Sequence, residues 1–89
     1  MTATAAARYQ LVTRAGCHLC DDMARLLDEV MRRRGIDFET IDVDDWVAGG
    51  DALRERFGDV VPVLLRDGIA VAKVRLDRAQ LERILDRRR

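Results

Sequence analysis

From Leu19 onward the apolar side chains fall at Leu19, Met23, Leu26, Leu27, Val30 and Met31, a spacing that follows the 3.6-residue period of an α-helix with one buried stripe. Arg32, Arg33 and Arg34 supply a basic last turn and Gly35 a stop. On either side lies a short run with strand character: YQLVT over 9–13, and FETIDV over 38–43, where Glu39, Ile41 and Val43 share one face. A strand, a helix and a strand joined by short connections call for a parallel pair with a right-handed crossover. The remaining chain must therefore extend that sheet and cover its second face.

It has the elements to do so. The stretch 44–50 reads as a loop carrying the single tryptophan, Trp46, which suits either a cap on the sheet edge or a partner contact. A short helix is predicted over 51–57, ending at Gly58. The nearly continuous apolar run VVPVLL over 60–65 predicts a strand buried on both faces, with Pro62 at its start. Asp67-Gly68 is a two-residue hairpin signal leading to a strand over 69–74. Asp77, three residues before Gln80, opens a last helix carrying Leu81, Ile84 and Leu85. The predicted order is β-α-β-α-β-β-α: a mixed four-stranded sheet flanked by three helices, an α/β architecture in three layers.

With 89 residues the chain holds one domain, expected over 9–89 after a disordered lead-in over 1–8. It is too short for a dinucleotide-binding sheet or an eightfold barrel. Aromatic residues are only 4% of the chain, so the core must be aliphatic. Sixteen basic residues balance sixteen acidic ones, which leaves no net field to hold nucleic acid or an anionic membrane. No apolar run approaches the roughly 20 residues of a membrane span, and the lead-in lacks the basic and apolar regions of a secretory signal. A cytoplasmic monomer is expected. The arginine clusters at 32–34 and 87–89 sit at predicted helix ends, where cations complement the helix dipole. Asp42, Asp44 and Asp45 lack the spacing and glycine of a calcium loop.

Both cysteines lie in one run, Cys17-His18-Leu19-Cys20, where the first loop enters the first helix. Three readings compete: a redox dithiol, half of a metal site, or two small hydrophobes. The attacking species in thiol–disulfide exchange is the thiolate, and a helix N-terminus favours an anion, so the Cys17 thiol is expected below its ordinary pKa. Cys20, one turn on, is placed to attack a mixed disulfide formed at Cys17. Asp21 and Asp22 favour the helix start but oppose a nearby thiolate, and Arg14 offsets them in part. His18 is read as tuning the thiols rather than as a catalytic base. A structural zinc site wants four ligands from separated pairs, and this chain offers two Cys and one His within four residues. No metal is expected within one chain, although a metal or iron–sulfur cluster shared across a dimer stays open.

The run from Leu11 to Cys20 with its helix, the Val61-Pro62 step before a buried strand, and the closing hairpin and helix resemble the glutaredoxin-like branch of the thioredoxin superfamily. The resemblance implies a thioredoxin-like fold and a cis Pro62 packed beside the cysteine pair. It also implies a thiol–disulfide oxidoreductase with Cys17 as nucleophile and Cys20 as resolving thiol. The Val61 backbone would dock an extended substrate, and Arg14 would meet a glutathione carboxylate. The substrate would be a disulfide-bearing protein or a low-molecular-weight thiol. No cofactor would be built in, and glutathione or a reductase would donate electrons. One departure stands out: Lys73-Val74-Arg75-Leu76-Asp77 occupies the stretch where glutaredoxins carry a Gly-Gly pair, so a side chain stands where close backbone approach is expected. A redox-inert interaction protein on the same fold is the remaining alternative.

Overall fold

The computed structural model describes residues 8–44 and 50–87. The predicted lead-in, apart from Arg8, lies outside the described residues, as do Asp45, Trp46, Arg88 and Arg89. The elements run β1 (Tyr9–Thr13), α1 (His18–Arg33), β2 (Phe38–Asp42), α2 (Gly50–Phe57), β3 (Val63–Arg66), β4 (Ile69–Lys73) and α3 (Arg78–Asp86). This is the order read from the sequence, with boundaries moved by a residue or so at most ends. The largest difference is β3, which starts at Val63 rather than at 60 because Pro62 lacks the N–H a ladder needs.

The sheet order is β2-β1-β3-β4. β1 runs parallel to β2, with Val12 opposite Ile41, and antiparallel to β3, with Val12 opposite Val63. β3 pairs antiparallel with β4 through Asp67-Gly68, both at positive φ as a tight hairpin turn demands. An irregularity between Leu64 and Leu65 leaves Val71 out of the β3–β4 pairing and breaks the regularity of the edge strand.

Alternation along β1 and β3 divides the core in two. Tyr9, Leu11 and Leu64 face α1 and α3, where Met23, Leu27, Val30, Met31 and Leu81 close over them. Val12, Val63 and Leu65 face the other way and pack with Val43 and Phe57, the latter from α2. The three layers are therefore α1 with α3, the sheet, and α2. Val63, Leu64 and Leu65 are all buried, as a strand covered on both faces requires.

Helix ends are set by local hydrogen bonds. α1 stops where Gly35, at φ 70°, lets its N–H reach Arg32 O at 3.0 Å and the Ile36 N–H reach Met31 O at 2.9 Å. This paired arrangement satisfies two end carbonyls and needs the left-handed backbone that glycine adopts freely. α3 begins in a full capping box: Gln80 N–H donates to the Asp77 carboxylate at 2.7 Å, and Asp77 N–H to the Gln80 side chain at 2.9 Å. Replacing Asp77 with Ala is expected to cost about 1 kcal/mol of stability. Urea unfolding of the variant checks this, and an unchanged midpoint would mean the cap contributes nothing.

Candidate functional site

The strand registers bring several chain segments to one end of the sheet. β1 leaves it at Thr13 and enters the loop to Cys17. Because Val12 is opposite Val63, the Val61–Pro62 step lies level with that loop. Because Val63 is opposite Lys73, Val74 comes level with Pro62, and the Val74 N–H donates to Pro62 O at 2.7 Å. The Val61–Pro62 bond is cis, as the family resemblance implied. No backbone hydrogen bond engages Val61 among the described residues.

Cys17 is the N-cap residue of α1, in extended conformation, and its Sγ accepts the Cys20 N–H at 3.0 Å. A Cys at this position does what Ser or Asp does at an ordinary cap: it gives an otherwise unpaired helix N–H an acceptor. Its sulfur therefore sits at the positive end of the helix dipole. Cys17 and Cys20 form a disulfide, with Cα atoms 5.1 Å apart. The two sulfurs differ in access: Cys17 is partly exposed, whereas Cys20 is 2% exposed and packed into the core. An incoming group can reach the first and not the second. His18 is exposed on the first turn. Among the described residues no group of three or more His, Cys, Asp or Glu converges on a point that could hold a metal ion.

Arg14 is engaged within the protein. Its Nε donates to Asp44 Oδ2 at 3.0 Å, Nη2 to Asp44 Oδ1 at 3.4 Å, and Nη1 to Gly58 O at 3.2 Å. It thus ties the loop before Cys17 to the end of β2 and to the turn after α2. Gly58 is held close there, since a Cβ at this position would lie 2.6 Å from Arg54 O. Sequence reading gave Asp44 no role, and no local signal could supply one, because its partner lies thirty positions away.

The Gly-Gly departure has a backbone counterpart. Val74 has φ 68°, a left-handed conformation in which a β-branched side chain is a strong outlier, and the Arg75 N–H reaches back to Lys73 O at 2.7 Å. The chain keeps a glycine-like backbone there without a glycine. Val74, Arg75 and Leu76 form one wall of a groove of about 140 Å³, and Leu19, Asp22 and Met23 of α1 form the other. The Asp22 carboxylate is paired with Arg25 at 2.5 Å.

A four-stranded mixed sheet with three helices, a cysteine pair capping the first helix and a cis-proline before the third strand define the thioredoxin-like fold in its short, glutaredoxin form. The family model for the glutaredoxin-like domain (DUF836) matches residues 8–86, and the chain belongs to that family. It is 47% identical over 62 residues to the uncharacterized protein Rv0508 of Mycobacterium tuberculosis, a match covering 68% of this chain and 64% of that protein. Among solved structures it resembles the structural-genomics target XcR50 of X. campestris, with TM-score 0.65, 32% identity, and 88% and 95% of the two chains covered. The buckwheat glutaredoxin–glutathione complex shares the fold at TM-score 0.56 and 21% identity, over 90% of this chain and 70% of that one.

The strain at Val74 can be measured. Val74→Gly relieves about 1–2 kcal/mol of backbone cost, but loses a similar amount through chain entropy and side-chain burial. Its stability is expected to stay within about 1 kcal/mol of the parent. Val71→Gly, also half-buried but with no positive φ to relieve, is expected to lose about 2 kcal/mol. Equal losses in urea unfolding would show that Val74 carries no strain.

Proposed function

We propose that this chain is a thiol–disulfide oxidoreductase of glutaredoxin-like type. The observation that carries the reading is the asymmetry of the pair: an accessible sulfur held at a helix N-cap, joined to a buried one. In the reduced protein the Cys17 thiolate attacks one sulfur of a substrate disulfide. A bond forms between Cys17 and that sulfur, and the other leaves as a thiolate and takes a proton from water. Cys20, having lost its own proton, then attacks Cys17 Sγ. The substrate's second sulfur leaves and is protonated, and the Cys17–Cys20 disulfide remains. The substrate gains two electrons from the protein and two protons, one balancing the proton lost by Cys20 and one drawn from water.

The Cys20 N–H supports both the thiolate and the leaving sulfur at Cys17. The unengaged backbone of Val61 suits an extended substrate laid alongside it, in the manner of an added strand. Resetting the pair needs a thiol donor, either glutathione or a dithiol reductase, in a reducing compartment such as the cytoplasm. Arg14 acts here as a positioning residue for the loop, with three of its five N–H donors engaged by Asp44 and Gly58. His18, exposed beside the thiols, tunes their surroundings.

Intact mass across a series of glutathione redox buffers tests the reading. A reversible loss of two hydrogens is expected, absent in Cys17→Ser and Cys20→Ser. Cys17→Ser is expected to abolish disulfide reduction, while Cys20→Ser accumulates mixed disulfides with substrate. An active Cys17→Ser with a dead Cys20→Ser would reverse the roles, and no mass change anywhere in the series would refute the activity.

The cap also sets a pH dependence. Alkylation of Cys17 in the reduced protein is expected to rise with pH through a midpoint below the ordinary thiol value of about 8.5. A midpoint at or above that value would remove the cap from the mechanism.

A further inference from the structure

α3 divides its charges between two faces. Glu82 and Asp86 turn toward α1 and meet Arg34 at 3.6 and 2.8 Å. Arg83 and Arg87, again one turn apart, instead line a groove of about 370 Å³ against β4, together with Lys73 and Arg75. No acidic side chain lines this groove, and Leu76 and Ile84 are among its apolar lining residues. All four cations are exposed, and none has an ion-pair or side-chain hydrogen-bond partner among the described residues.

Elsewhere the described arginines are engaged. Arg8, Arg14, Arg25, Arg32, Arg33, Arg34 and Arg78 meet carboxylates. Arg66 donates to Ile84 O and Arg56 lies over the Phe57 ring. Arg54 too has a partner. In a chain of zero net charge, the lysine and arginine side chains without a partner among the described residues are gathered into one groove.

That groove adjoins a smaller one beside the start of α1, where Leu19 lies within the cysteine run. Arg75 and Leu76 line it and also line the smaller groove whose far wall is the turn of α1 around Leu19 and Met23. The two grooves thus run from Leu19 and Asp22 of α1, the latter paired with Arg25, past Arg75 to Arg83 and Arg87.

We infer that the β4–α3 groove holds an acidic segment of a disulfide-bearing protein substrate, placing the disulfide at Cys17. This rests on the oxidoreductase reading and names its substrate class. Charge complementarity selects carboxylates. The apolar side chains in the lining and the neighbouring groove beside the cysteine run favour a polypeptide over a nucleic acid, which brings no disulfide to reduce. The docking energy is electrostatic and exposed, so it acts mainly on encounter and fades with salt.

The test is single-turnover reduction of disulfide-bonded peptides of equal length, flanked by Glu or by uncharged residues, with the pre-reduced protein supplying both electrons. The second-order rate constant is expected to be about fivefold or more higher for the acidic peptide at about 20 mM ionic strength, converging at about 0.5 M. The ratio should fall toward one in Arg83→Gln/Arg87→Gln and persist in Arg83→Lys/Arg87→Lys. A ratio of one in the parent protein, or a ratio unchanged in the Gln pair, would overturn the inference while leaving the oxidoreductase reading intact. Failure to reduce even the uncharged peptide would overturn both. An oligonucleotide that binds more tightly than the acidic peptide, with the same dependence on Arg83 and Arg87, would reassign the groove to nucleic acid.

Discussion

The structure depends on two central strands buried on both faces. β1 and β3 pair antiparallel through the middle of the sheet, and their side chains feed both halves of the core. Burial in both directions removes any tolerance for slippage, since a one-residue shift would exchange every inward and outward contact at once. The fixed register then delivers the chain ends to one place. The loop leaving β1, the proline entering β3 and the turn leaving β4 meet because Val12, Val63 and Lys73 are neighbours across the sheet. The position of the cysteine pair is a consequence of how a hydrophobic sheet settles its alignment.

At that end of the sheet, main-chain groups do much of the work. The Val74 N–H holds Pro62, the Cys20 N–H meets Cys17, and the Gly58 carbonyl receives Arg14. The Val74–Pro62 bond is main chain at both ends and survives a change of side chain, which is how Val74 can stand where glutaredoxins carry glycine while the backbone keeps its course. What changes is the surface presented to a visitor. Instead of bare backbone, the turn offers a valine methyl pair and a guanidinium.

The topology was legible because it rests on periodicity and punctuation. The stripe from Leu19 to Met31, the Gly35 stop, the Asp67-Gly68 turn and the Asp77–Gln80 box each act over a few residues, and a single sequence displays them. The cysteine run was legible for the same reason. The role of Arg14 was not, since its engagement with Asp44 and Gly58 depends on three segments meeting through sheet pairing. Nor could the sequence show the cationic groove. Its members come from β4, the following turn and α3, and they stand out only once the other arginines have found partners. A balanced composition conceals a segregated surface.

Cys17 as the cap of α1 makes electron chemistry and conformational stability two readings of one cycle. The Cys20 N–H donates to Cys17 Sγ in the disulfide-bonded protein, and any change in that bond on reduction enters both measurements. If the folded helix favours the reduced sulfur by about 1.4 kcal/mol more than the unfolded chain does, the pair's potential moves by about 30 mV relative to the same four residues in a peptide. The reduced and oxidised proteins must then differ in unfolding free energy by that same amount, whatever else the disulfide does to the unfolded chain being counted on both sides. The first turn of α1 is therefore a part of the redox couple, and a substitution in it that stabilises one oxidation state over the other retunes the potential without touching a sulfur atom.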